Sequence, residues 1–228
     1  MKKILTTAIL CAGLVGFTAC DSFLDEDPKS SLTLDTYYKT SADIIGNVNY
    51  LYRDGAPDKM GNMTGAYRGS SLSVMNMVTG YFVNEYEGQE VDCSYARQLT
   101  RQDFTQSCCN YLTNDTWKSC YKSINVANAV IKYVDGVEMD NQAQYKAEAR
   151  FFRALNYFYL VKMFGDVPMV TEPTEDATLV EYPTRTAASE VFNTVIIPDL
   201  QFAVENLPNA TFAGNSHRVT KYAKVSLS

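Results

Sequence analysis

Residues 147–173 read AEARFFRALNYFYLVKMFGDVPMVTEP, and the fold turns on them. At 100° per residue, Tyr145, Ala149, Phe152, Asn156, Tyr159 and Met163 share one helical face, whereas Ala147, Phe151, Ala154, Phe158 and Val161 share a second, about 155° away. Lys146, Arg150 and Arg153 occupy the narrow strip between them, and the two arginines are expected to pair with acidic neighbours. A helix apolar on two sides must be covered on both, so this one is predicted to lie between other helices. Asn141-Gln-Ala-Gln144 reads as an Asn-led capping box at its start. Gly165 in the left-handed conformation can close it, and Pro168 prevents continuation.

Upstream, Trp117, Tyr121, Ile124, Asn128 and Ile131 recur at steps of three and four, with Cys120, Ala127 and Val134 widening the stripe. The pattern predicts a helix capped by Asn114 or Asp115 and ending near Asp135-Gly136. Ile44, Val48, Leu51 and Tyr52 predict another, from Ser41 or Asp43 to just before Gly55-Ala56-Pro57. The stretch from Gly55 to Gly69 reads as a long loop. Leu72 to Phe82 can form a further helix, followed by a polar loop. Thr186 to Leu207 predicts a helix kinked or split by Pro198, and a last one starts at Val219. Antiparallel helices joined by short turns, each pair leaning on the next, make an all-α helical-repeat stack of the tetratricopeptide kind with long loops.

The amino terminus carries a different message. Lys2 and Lys3, the apolar run Ile4 to Val15 and the small residues Thr18-Ala19 have the layout of a secretory leader over residues 1–19. Its apolar core is shorter than the roughly 20 residues needed to cross a bilayer. Cys20 after that leader resembles the acylated cysteine of a bacterial lipobox, although Phe17 stands where such motifs usually carry leucine. Residues 20–34, with Asp25, Glu26, Asp27 and Pro28, read as an acidic tether between lipid and domain. The folded domain is then residues 35–228.

Without the leader, Lys and Arg fall from 20 to 18 against 26 acidic residues, a net charge of −8. That balance excludes a nucleic-acid partner, whose phosphates need a basic footprint. Sixteen Tyr and eleven Phe against one His suit either a helical core or a sugar-binding surface. Cys93, Cys108, Cys109 and Cys120 could form disulfides in an oxidising compartment, the adjacent pair bonding outward to Cys93 and Cys120, or remain buried thiols. No CxxC spacing suggests zinc, and His217 has no companions for a metal site or a nucleophilic relay, so no metal, cofactor or catalytic residue is assigned.

The leader, the W-x3-Y-x2-I-x3-N pattern from Trp117 to Asn128 and, above all, residues 147–173 resemble the N-terminal part of the SusD/RagB family. The resemblance implies a surface-facing outer-membrane lipoprotein, not an enzyme, that captures glycan or oligosaccharide nutrients for a SusC-like TonB-dependent transporter. It implies a tetratricopeptide-like fold that packs against that transporter. Family members are about twice this length, and a long helix usually follows a segment like RVTKYA, so the family's C-terminal half is absent from this sequence. By position in the family, Tyr81, Asn84 and Tyr86 are the candidate sugar-binding residues, set against ordinary loop and core tyrosines. Trp117, on an apolar stripe, is expected in the core. Arg150 and Arg153 are secondary candidates for docking on the transporter. A helical-repeat scaffold binding protein alone, a non-functional remnant, or a surface glycan hydrolase or lyase are the competing readings.

Overall fold

The computed structural model describes residues 34–53, 78–81, 100–102, 107–175, 183–211, 213–216 and 218–220. A short helix α1 (Leu34–Tyr37) leads into α2 (Ser41–Arg53). The carboxylate of Asp43 accepts the Thr40 N–H at 2.8 Å and the Thr40 hydroxyl at 2.7 Å, closing a capping box one residue ahead of the helix. Those hydrogen bonds hold the Asp43 carboxyl below its ordinary pKa. The predicted stripe of α2 is the buried one, with Ile44, Val48 and Leu51 wholly enclosed.

α3 (Ser107–Tyr133) begins well before the expected caps at Asn114 and Asp115. Cys109, Leu112 and Thr116 continue the period of Cys120 backwards, and that periodicity outweighs the local preference of Asn and Asp for helix ends. A 3₁₀ turn (Val134–Gly136) then reverses the chain into α4 (Gln142–Phe164). The capping box expected there does not form. Asn141 adopts φ 58°, ψ 28° without a side-chain cap bond, and Gln144 donates to Glu148 instead of reaching back. Gln142 fastens the turn by donating to the carbonyls of Val134 (2.7 Å) and Val137 (3.1 Å).

α4 ends at the predicted glycine, but not in the left-handed helical conformation expected of it. The Gly165 N–H bonds the Val161 carbonyl at 2.9 Å, while φ 69° with ψ −124° is the mirror image of an extended residue, a region glycine enters without a Cβ clash. Val167–Pro168 (β1) pairs antiparallel with Arg185–Thr186 (β2), a two-residue ribbon that the all-helical reading did not foresee. Next come α5 (Ala188–Val191), a π turn (Phe192–Ile196) and α6 (Ile197–Asn206). Pro198 has no N–H and its ring would strike the carbonyl of residue 194 in a regular helix; the widened turn removes that clash. The predicted helix is therefore split just before Pro198 by a change of helix type.

α4 is the central rung. It packs along α3 on one side and α6 on the other, and touches α2 near its start. Its first half joins Ile44, Val48, Leu51, Val130, Val134, Ala203 and Leu207 in one apolar cluster through Ala147, Ala149 and Phe152. The second half joins Cys120, Ile124, Val167, Val191, Val195 and Ile196 in another, through Ala154, Tyr157, Leu160 and Val161. Each fully buried Leu or Ile here contributes about 1.5–3 kcal/mol. Both predicted faces of α4 are covered in part: Ala149, Phe152 and Asn156 on the first and Ala147, Ala154 and Val161 on the second are buried, while Tyr145, Tyr159 and Met163 on the first and Phe151 and Phe158 on the second remain half-buried. The strip between them is the larger surprise. It carries Tyr157 and Leu160, both fully buried, and draws Arg153 inside with them.

The helix expected over Leu72–Phe82 lies outside the described residues except for 78–81, which form a turn with Gly80 at φ 76°. The glycine-rich stretch 55–69, the leader and tether of residues 1–33 and His217 also lie outside them, as does the helix expected from Val219 except for Val219 and Thr220, which are not helical.

Candidate functional site

Of the three sugar-binding candidates, only Tyr81 falls among the described residues. It closes the 78–81 turn with 88 % of its surface exposed, and its N–H donates to the Thr79 hydroxyl at 3.3 Å. A tyrosine so exposed adds little to a core and leaves its ring open to solvent, a condition for stacking on a pyranose. Asn84, Tyr86 and Cys93 lie outside the described residues, as do the side chains of Cys108 and Cys109. Cys20 does as well. Cys120 is a buried free thiol whose pKa burial pushes up to about 12, so it is inert as a nucleophile. Among the described residues, no group of three or more His, Cys, Asp or Glu could hold a metal ion, and no helix is long and apolar enough to cross a membrane.

What the helices do bring together is a strap. Residues 167–175 run against the α3–α4 pair with no regular structure beyond β1, a segment whose backbone polar groups need partners wherever water is excluded. Side chains supply them. The Tyr121 hydroxyl donates to the Pro168 carbonyl at 2.7 Å. The Tyr157 hydroxyl donates to the Val170 carbonyl (2.8 Å) and accepts the Val170 N–H (2.7 Å). Asn128 donates its amide to the carbonyls of Val170 (3.0 Å) and Glu172 (3.2 Å), and Asn125 accepts the Thr174 N–H at 2.7 Å. At the far end Glu175 meets Lys132 and accepts the Tyr133 hydroxyl. Burial raises the Tyr157 pKa to about 12, against smaller opposing effects from its Val170 bond and the Arg153 charge.

Beneath the strap lies a charged knot. Arg153 donates Nε and Nη2 to the two oxygens of Asp199 at 2.6 and 2.8 Å, and Nη1 to the Asn128 side-chain oxygen at 2.9 Å. Asp199 is 1 % exposed and Arg153 8 %. The fork geometry matches a carboxylate bidentately, which lysine could not do. Asn128, with its oxygen held by Arg153, must turn its amide to the strap, so α3, α4, α6 and the strap are tied through one guanidinium. Arg150 stacks on Phe202 at 4.3 Å and approaches Asp199 at 3.7 Å. The expected pairing of these arginines with acidic residues is thus observed, but burial removes Arg153 from any docking surface.

A second knot fastens residues 218–220. Glu148, with no exposed surface, receives Arg218 Nε at 3.1 Å and Nη2 at 2.5 Å, together with the Gln144 amide at 3.0 Å. Arg218 also donates to Asn49 (2.8 Å) and lies over the rings of Tyr52 (4.9 Å) and Tyr145 (5.2 Å). The Val219 N–H donates to the Tyr52 hydroxyl at 2.8 Å. Burial works against the Arg218 cation, but the Glu148 carboxylate outweighs it and its pKa rises.

Trp117, expected in the core, is half-buried: its ring meets Tyr121 and Phe164 at about 5 Å, and the Arg185 guanidinium sits over it at 5.6 Å. The two sequence motifs are therefore two sides of one device. In the Trp117–Asn128 pattern, Tyr121 and Asn128 grip the strap, Ile124 is core, and Trp117 packs on the end of α4. Sequence reading took Asn128 for part of an apolar stripe and the Gly165–Pro168 turn for a bare helix stop. Polar residues recurring on an otherwise apolar face were the signal that could have revealed the grip.

A stack of antiparallel helices with a side-chain-fastened strap defines a tetratricopeptide-like helical-repeat protein. The family described as "Starch-binding associating with outer membrane", the SusD-like family, matches residues 22–227, and the chain belongs to it. The SusD-like protein P2 of Formosa agariphila is 29 % identical over 216 residues, 93 % of this chain and 40 % of its own length. Among solved structures, surface glycan-binding protein A from Bacteroides fluxus superposes with a TM-score of 0.65 at 22 % identity, covering 83 % of this chain and 39 % of that one. A laminarin-binding SusD-like protein gives 0.63 at 24 % identity, covering 81 % and 38 %. The chain thus spans about two-fifths of the length of the curated relatives it matches.

Proposed function

We propose that this chain is the helical part of a glycan-binding outer-membrane lipoprotein that holds oligosaccharide for a TonB-dependent transporter of the SusC type, without performing a reaction on it. The observation that carries the reading is the SusD-like match across residues 22–227, joined to a helical-repeat fold superposable on a surface glycan-binding protein and a laminarin-binding one. The leader and Cys20 support lipid anchoring, and the acidic run after them supports a solvated tether facing the exterior. The exposure of Tyr81 supports a sugar contact, because a solvent-exposed ring can stack on a pyranose.

Affinity electrophoresis of the purified protein in gels containing laminarin, xyloglucan or starch, with chromatography of the recovered glycan, tests the reading. Retardation by a glycan that is recovered uncut supports it. Cleavage would instead make the protein a hydrolase or lyase. Migration unaffected by every glycan, with retention on a detergent-solubilised SusC-like transporter, would leave a protein-binding scaffold. Tyr81→Ala is expected to weaken retardation several-fold, stacking being worth about 0.5–1.5 kcal/mol; unchanged migration removes Tyr81 from the site. Labelled palmitate entering the native chain but not a Cys20→Ala variant checks the anchor.

A further inference from the structure

We draw no further inference here: the strongest candidate, the apolar groove of about 250 Å³ between α4 and α6 lined by Leu155, Phe158, Phe192, Ile196, Ile197 and Leu200, carries nothing, because nothing among the described residues shows what covers it.

Discussion

Replacing Arg153 with methionine is the most informative perturbation of the fold. The methionine replaces the arginine's aliphatic stem and omits its guanidinium, so the change falls on Asp199, which stays at 1 % exposure with only Arg150 among the described residues, 3.7 Å away, to answer it. Removing one partner of a buried pair costs about 3–5 kcal/mol, because the survivor's desolvation is no longer offset. Asn128 also loses the donor that fixes its amide, so its two bonds to the strap weaken. Against a total stability of about 5–15 kcal/mol for such a domain, the variant should be marginal. Arg153→Lys keeps the charge but not the fork, and should fall between the two. In the double variant Arg153→Met, Asp199→Leu, the fully buried pair is gone from both helices and only the part-exposed Arg150 loses a carboxylate, so a good part of the loss should return. Urea unfolding followed by far-ultraviolet circular dichroism reads each midpoint at constant slope and so yields the coupling energy of the cycle. If Arg153→Met costs less than about 1 kcal/mol, or the double variant is as unstable as the two single losses added together, the knot is not what ties α3, α4 and α6.

Arg218→Ala strands Glu148, which has no exposed surface, and should cost about 3 kcal/mol or more, with Glu148→Gln in the same chain recovering part; chemical denaturation measures both. Tyr157 should make the protein alkali-sensitive. Its folded pKa is raised, so its contribution is complete below about pH 10 and is lost as pH rises to about 12, amounting to roughly 2–3 kcal/mol. Tyr157→Phe should flatten that part of the stability–pH curve and speed amide exchange at Val170; an unchanged curve argues against burial of the hydroxyl. Gly165→Ala meets no neighbour within 4 Å, so any loss in its melting transition is backbone strain at φ 69°, about 1–3 kcal/mol.

Much of the helical frame was legible in the sequence. Ile44, Val48 and Leu51 marked the buried stripe of α2, and Gly165 with Pro168 marked the end of α4, because periodicity and helix termination are local properties of the chain. Where several local signals competed, tertiary packing chose. The helix period carried α3 past Asn114 and Asp115 to Ser107, and Gln142 displaced the Asn141 capping box by finding two carbonyls across the turn. The candidate site was less legible still. Tyr81 comes from family position alone; its exposure is a tertiary property that no spacing in the sequence signals.

The sequence by itself determined the helical course of α2 and α4 and the body of α3, where α4 stops, and that its two flanks would seek neighbours. Only the tertiary structure decided that Arg153, on what looked like a charged edge, turns inward to Asp199, and that Tyr121, Asn128 and Tyr157 converge on one strap. The physical reason is that Asp199 is remote in sequence and the strap's acceptors are main-chain carbonyls. A carbonyl is common to every residue and leaves no trace in the order of side chains, so its partner is known only when the helices have brought it within reach.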